Sequence, residues 1–203
     1  MAKDLEGKTI LLGVTGCIAA YKAPAILRRL KSLGADVIVA MTKAGTEFVT
    51  PLTFKALSGN PVLVEMFEPA TEWQIEHVIL AQKVDLVLIA PATANIMGKI
   101  ASGVADDMVS LTVMATKAPV VIAPAMNVSM YENPIVQENI KKLEGLGYTF
   151  VEPGVGVLAT GVEGRGRLAE LEEIVEKVCE LLRASQMNCD IPGEGSLVEK
   201  GEI

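Results

Sequence analysis

Three segments carry side chains whose types and spacing suit chemistry. Gly13-Val14-Thr15-Gly16 lies between an apolar run and a helical pattern. Glycine at such a turn lets backbone N–H groups approach a phosphate, and a following helix N-terminus adds positive potential. The same residues also make a plain tight turn, so both readings stand. They do not complete G-x-G-x-x-G, and no acidic residue follows DVIVAM (36–41) to take a ribose hydroxyl, which argues against a dinucleotide. Pro91-Ala92-Thr93-Ala94-Asn95 follows a second apolar run. Thr93 and Asn95 offer a hydroxyl and an amide to a phosphate or a ring edge, or they cap a helix. Pro124-Ala125-Met126-Asn127-Val128-Ser129-Met130-Tyr131 follows a third. There Asn127 suits a carboxylate or an amide, and Met126 and Met130 suit an adaptable apolar wall; ordinary loop packing is the plainer alternative.

Two more residues have chemical potential. His77 is the chain's one histidine, so an imidazole base at neutral pH must be His77. A helix histidine paired with a carboxylate is the competing reading. Cys17 begins a helical pattern, where a thiolate would be favoured, or it packs as a small residue against a sheet. Cys179 and Cys189 fall on a last helix and in a tail. Three widely spaced cysteines suggest neither a disulfide framework nor a zinc site.

The elements that must hold these segments follow from hydrophobic periodicity. Lys8–Val14, Asp36–Met41, Val62–Val64, Asp85–Ala90, Pro119–Ala123 and Tyr148–Val151 read as strands. Helices are expected over 19–33, 46–57, 74–82, 94–101, 107–116, 135–146 and 171–182, with Gly34 and Gly147 as stops. Residues 154–166 carry five glycines and read as a mobile loop. Strands that alternate with helices and lack polar alternation predict an α/β fold: a three-layer, doubly wound, mostly parallel sheet of Rossmann-like form. Ligands then sit beyond the carboxyl ends of the strands, where all three segments fall. One domain over 1–184 is expected, with 185–203 a tail that adds little to the core.

Composition narrows the function. The 203 residues are half hydrophobic, only 4% aromatic, and carry a net charge of −7. An acidic chain without a basic tract disfavours nucleic acid and anionic membrane as partners. No signal segment opens the chain and no run of about 18 apolar residues occurs, so a cytoplasmic location is expected.

Together, GVTGCIAAYK (13–22), IEHVILAQKVDLVLIAPATANIMGKIASGVADD (75–107) and PAMNVSMYENP (124–134) resemble the homo-oligomeric FMN-containing cysteine decarboxylases, above all the phosphopantothenoylcysteine decarboxylases of coenzyme A synthesis. The resemblance runs from about Gly7 to Leu182. It implies an FMN site at Gly16, Cys17, Thr42, Thr93, Ala94 and Asn95, an active-site histidine at His77, and substrate contacts at Met126, Asn127, Met130 and Ala159. It implies 4′-phosphopantothenoylcysteine as substrate and a trimer or dodecamer in which His77 serves a neighbouring chain's site. The implied chemistry oxidises the thiol-bearing carbon to a thioaldehyde, releases CO₂, and then reduces the enethiol to 4′-phosphopantetheine.

One position departs from the resemblance. Thr160 stands where the coenzyme A enzymes usually carry the cysteine that donates a proton in the reductive half. A thiol ionises near ~8.5 and an alcohol is a far weaker acid, so the reduction step is in doubt. An oxidative peptidyl-cysteine decarboxylase and a non-catalytic flavoprotein regulatory subunit are the alternatives. Many bacterial relatives continue into a ligase domain; this chain ends at Ile203, and that second activity is not expected of it.

Overall fold

The computed structural model describes residues 4–66, 76–159 and 161–189, with only the backbone of 76–79 and 186–189. Its frame is six parallel strands: β1 (Thr9–Val14), β2 (Asp36–Met41), β3 (Val62–Leu63), β4 (Leu86–Ala92), β5 (Val120–Pro124) and β6 (Thr149–Phe150). Their order across the sheet is β3-β2-β1-β4-β5-β6. The direction of winding reverses between β1 and β4, which opens a crevice at their carboxyl ends.

The strands are apolar on both faces because helices cover both. Ile10, Leu12 and Val14 of β1 pack into one cluster, with Ile26, Leu27 and Leu30 of α1 (Ala23–Ser32), Phe54 of α3 (Pro51–Ser58) and Ile174, Val178 and Leu182 of α9 (Leu171–Cys189). Leu11 points the other way, into a cluster with Ile96, Met97, Met108, Val109 and Leu143. Those residues belong to α5 (Ala94–Ser102), α6 (Met108–Ala115) and α8 (Pro134–Gly145), and α4 (Glu76–Lys83) packs on α6. A Cβ on Gly13 would come within 2.9 Å of Val109 Cγ1, so glycine there lets α6 close on β1. Among the described residues no helix is long and apolar enough to cross a membrane.

Five expectations need correction. The helix expected over 46–57 is two: α2 (Lys43–Thr46) and α3, because Pro51 at the first turn of α3 lacks an N–H to continue an earlier helix. The helix expected from Ala19 opens instead as a 3₁₀ turn, Ile18–Lys22, and becomes α-helical at Ala23, with Pro24 in its first turn. β4 does not stop at Ala90 but runs through a cis Ala90–Pro91 bond to Ala92, where the register with β5 shifts. The glycine-rich stretch is an antiparallel hairpin, β7 (Gly154–Val157) and β8 (Glu163–Arg167), rather than a loop. The last helix also continues past the expected tail boundary at 185, as far as Cys189. Residues 190–203 lie outside the described residues.

Asp107 caps α6, its Oδ1 accepting from Val109 N at 3.1 Å and Ser110 N at 2.9 Å, while Ser110 completes the capping box. Replacing Asp107 by alanine is expected to cost about 1–2 kcal/mol, and Asp107→Asn, which keeps the accepting oxygen, under half of that. Chemical denaturation midpoints of the two variants check it.

Candidate functional site

The site starts from one buried hydroxyl. Thr15 follows β1 and is 1% exposed. Its Oγ1 donates to Pro91 O at 2.7 Å and accepts from Thr93 N at 3.1 Å, so it ties the end of β1 to the end of β4 across the switch point. Thr93 then caps α5, its Oγ1 accepting from Ile96 N at 3.3 Å. Thr42, which ends β2, accepts from Gly45 N at 3.2 Å and caps α2. The capping reading of Thr93 therefore holds, Thr42 turns out to be a cap as well, and the caps bring both threonines to the same edge of the sheet.

Two clefts flank the Gly16–Cys17 turn. The first, of about 460 Å³, is lined by Thr15, Gly16, Thr42, Thr93, Asn95 and Lys99, among others. A Cβ on Gly16 would fall 2.5 Å from Ala44 Cβ, so only glycine lets the β1 turn close on α2. The first N–H groups of α5 have no intrahelical acceptor and open beside this cleft. Lys99 Nζ lies 2.6 Å from Asp106 Oδ1 and 2.8 Å from Asp107 Oδ2. Burial works to lower the Lys99 pKa, but the bonds to the two carboxylates outweigh it and raise it, while the bond to Lys99 lowers Asp106. The hydroxyls, the amide and the helix N–H groups are donors that fit a phosphate monoester such as the FMN tail, while Lys99 neutralises the two carboxylates that line the same cleft.

The second cleft, of about 350 Å³, is largely apolar and holds Cys17, Tyr21, Met126, Asn127, Leu158 and Ala159. Asn127 Oδ1 accepts from Ser129 N at 2.9 Å and caps α7 (Val128–Tyr131). The β7–β8 hairpin closes one side. Met126 N donates to Gly166 O at 2.9 Å. Gly164 and Gly166 leave the space this needs: a Cβ on Gly164 would sit 2.6 Å from Val128 Cγ2, and one on Gly166 2.3 Å from Met126 O. Tyr131, Glu152 and Arg165 brace the same joint from outside, with Arg165 Nη1 3.0 Å and Tyr131 Oη 3.4 Å from Glu152 Oε2. Burial first, then the Glu152 charge, raises the Tyr131 pKa.

The geometry redistributes the expected residues. Gly16, Thr42, Thr93 and Asn95 do line one cleft, but Cys17 lines the other, with Asn127, Met126 and Ala159. Met130, expected beside Asn127, lines the Gly16 cleft instead. Ala94 borders neither. Burial is the main effect on Cys17 and pushes its thiol upward, in keeping with the packing reading of this residue rather than the thiolate one. The 3₁₀ turn that follows is too short to stabilise an anion. Topology starts α4, and with it His77, at the carboxyl edge of the sheet; the His77 side chain and all of Thr160 lie outside the described residues. Sequence reasoning did not single out Thr15, Lys99, Lys22 or Arg167. Thr15 sat inside a recognised turn; the other three gave no signal short of three dimensions.

The flavoprotein family profile matches residues 1–183. The chain belongs to the flavoprotein family. It is 45% identical over 197 residues to the coenzyme A biosynthesis bifunctional protein CoaBC of Bacillus subtilis (strain 168), covering 97% of this chain and 48% of that one. To the CoaBC of Escherichia coli (strain K12) it is 45% identical over 173 residues, covering 85% and 43%. The chain thus spans about half the length of the curated relatives it matches. Among solved structures, the FMN-dependent cysteine decarboxylase SpaF superposes with a TM-score of 0.77 at 31% identity, covering 89% of this chain and 98% of that one. A cysteine-to-serine mutant of PPC decarboxylase complexed with pantothenoylaminoethenethiol gives 0.74 at 26% identity, covering 89% and 98%. The central parallel sheet with helices on both faces is the fold these flavoproteins share.

Two measurements test the site geometry. Gly166→Ala is expected to speed hydrogen exchange of the Met126 amide by about 10–100-fold, because the hairpin must back away to admit the new methyl. Site-resolved alkylation of Cys17 is expected to reach half its limiting rate at a higher pH than a free cysteine, since the thiolate is the reactive form.

Proposed function

We propose that this chain is an FMN-dependent decarboxylase that converts 4′-phosphopantothenoylcysteine to 4′-phosphopantetheine in coenzyme A synthesis. The observation that carries the reading is the pair of clefts on either side of the Gly16–Cys17 turn. One has the donors for a nucleotide phosphate. The other joins an apolar wall to the Asn127 amide at the hairpin. Relatives at 45% identity that bear the CoaBC name support coenzyme A synthesis over a peptidyl-cysteine substrate or a non-catalytic role.

Gly16, Thr42, Thr93 and Asn95 would hold the FMN phosphate and ribityl chain, with Lys99 cancelling carboxylate charge on the floor of the cleft. Bound flavin supplies two-electron redox chemistry at the thiol-bearing carbon, the part of the reaction that side chains cannot perform. Asn127 binds the substrate carboxylate through its amide, while its Oδ1 accepts from Ser129 N and fixes the side chain at the start of α7. An amide that hydrogen-bonds the carboxylate discriminates against substrates that lack it. Met126 and Ala159 shape the pocket, and Met130 does so from the neighbouring cleft. His77 takes the thiol proton. Thr160 is a weaker proton source than the cysteine it replaces, so the last protonation is slow. The reading carries with it a cytoplasmic homo-oligomer, trimeric or dodecameric, in which exposed Tyr21, Leu52 and Ile135 offer apolar surface for burial between copies.

The purified protein is expected to show flavin absorption and to release CO₂ from 4′-phosphopantothenoylcysteine. His77→Asn should keep the colour and lose about 100-fold or more in kcat, and Thr160→Cys should raise the yield of saturated thiol over a product two mass units lighter. A protein that stays colourless after reconstitution with FMN, or releases no CO₂, sinks the proposal.

A further inference from the structure

The cleft that holds Asn127 has a charge signature unlike the rest of the chain. Overall the protein is acidic, at −7. Yet among the described residues the charged ones lining this cleft are Lys22 and Arg167, with no carboxylate beside them in its lining. Lys22 comes from the 3₁₀ turn after β1, and Arg167 from the last position of β8. The remaining wall is apolar, from Ile18, Tyr21, Leu158 and Leu168. A neutral, extended ligand has no use for two cations in such a wall, whereas a ligand with a terminal dianion does.

Arg167 is also held for the purpose. Its side chain crosses the hairpin over Gly156, whose missing Cβ would lie 3.6 Å from Arg167 Nη1. Its other partner is Glu170, 3.3 Å from Nη2, in a pair whose side chains are 46% and 64% exposed. An ion pair that open to water contributes little and yields readily to a phosphate, which a guanidinium grips through two parallel hydrogen bonds.

We propose that Arg167 is a specificity-determining residue that binds the phosphate of a phosphorylated, cysteine-terminated substrate. This rests on the functional reading above and adds to it the group that separates phosphorylated from unphosphorylated chains. Arg167 is the last residue of β8, so the hairpin that walls one side of the cleft also carries the residue that reads the phosphate.

The test compares kcat/KM for 4′-phosphopantothenoylcysteine and for pantothenoylcysteine, in flavin-loaded wild-type protein, Arg167→Met and Arg167→Lys. The wild type is expected to prefer the phosphorylated substrate by more than about tenfold. Arg167→Met should lose about 10–100-fold on that substrate, mostly in KM, and change less than about threefold on the other. Arg167→Lys should recover part of the loss, and raised salt should reduce the wild-type preference. Equal losses on both substrates, or no loss on either, overturn the assignment while the decarboxylase reading stands. A wild type that turns over neither substrate removes the functional reading, and this one with it.

Discussion

The architecture of both clefts depends on a single buried hydroxyl. Thr15 accepts from the backbone of Thr93 and donates to that of Pro91, at the point where β1 and β4 part and sheet hydrogen bonding ends. Without a partner those backbone groups would be buried unsatisfied, at about 1–3 kcal/mol each. With it, the turn after β1 and the start of α5 become one rigid unit. Gly16 and Cys17 follow Thr15 directly, so each cleft takes one wall from that unit. The reversal of strand order creates the crevice; the threonine fixes its width.

Electrostatics inside the site run against the surface. The chain is acidic, which keeps polyanions away, yet both clefts hold cations. They do so differently. Lys99 is locked between Asp106 and Asp107 and is a fixed, largely neutralised element of the floor. Lys22 and Arg167 border a largely apolar wall, and the one ion pair there, Arg167 with Glu170, is open to water and exchangeable for a ligand. Local placement, rather than net charge, decides which anions can enter.

Much of this was legible in the residues. Uninterrupted apolar runs gave the strands, and the turns after three of them were expected at one edge of the sheet and do meet there, beside the two clefts. Helix stops at Gly34 and Gly147 were legible too, since both adopt positive φ. Three things were hidden for physical reasons. The hairpin at 154–166 has too few side chains to show alternation, and its pairing comes from backbone alone. The division of Cys17 from Gly16, and of Met130 from Asn127, between two clefts depends on which way a turn points, which spacing does not encode. The upward shift of Cys17 comes from burial by residues distant in sequence.

The glycines at 164 and 166 have a consequence for how this scaffold can change. Each meets the Met126–Val128 segment with no room for even a methyl group, so hairpin and loop are complementary surfaces cut to one another. Substrate range cannot then drift through either segment on its own. A hairpin grafted from another protein would have to travel with its matching loop, and the two form one inheritable cassette set into an otherwise indifferent sheet.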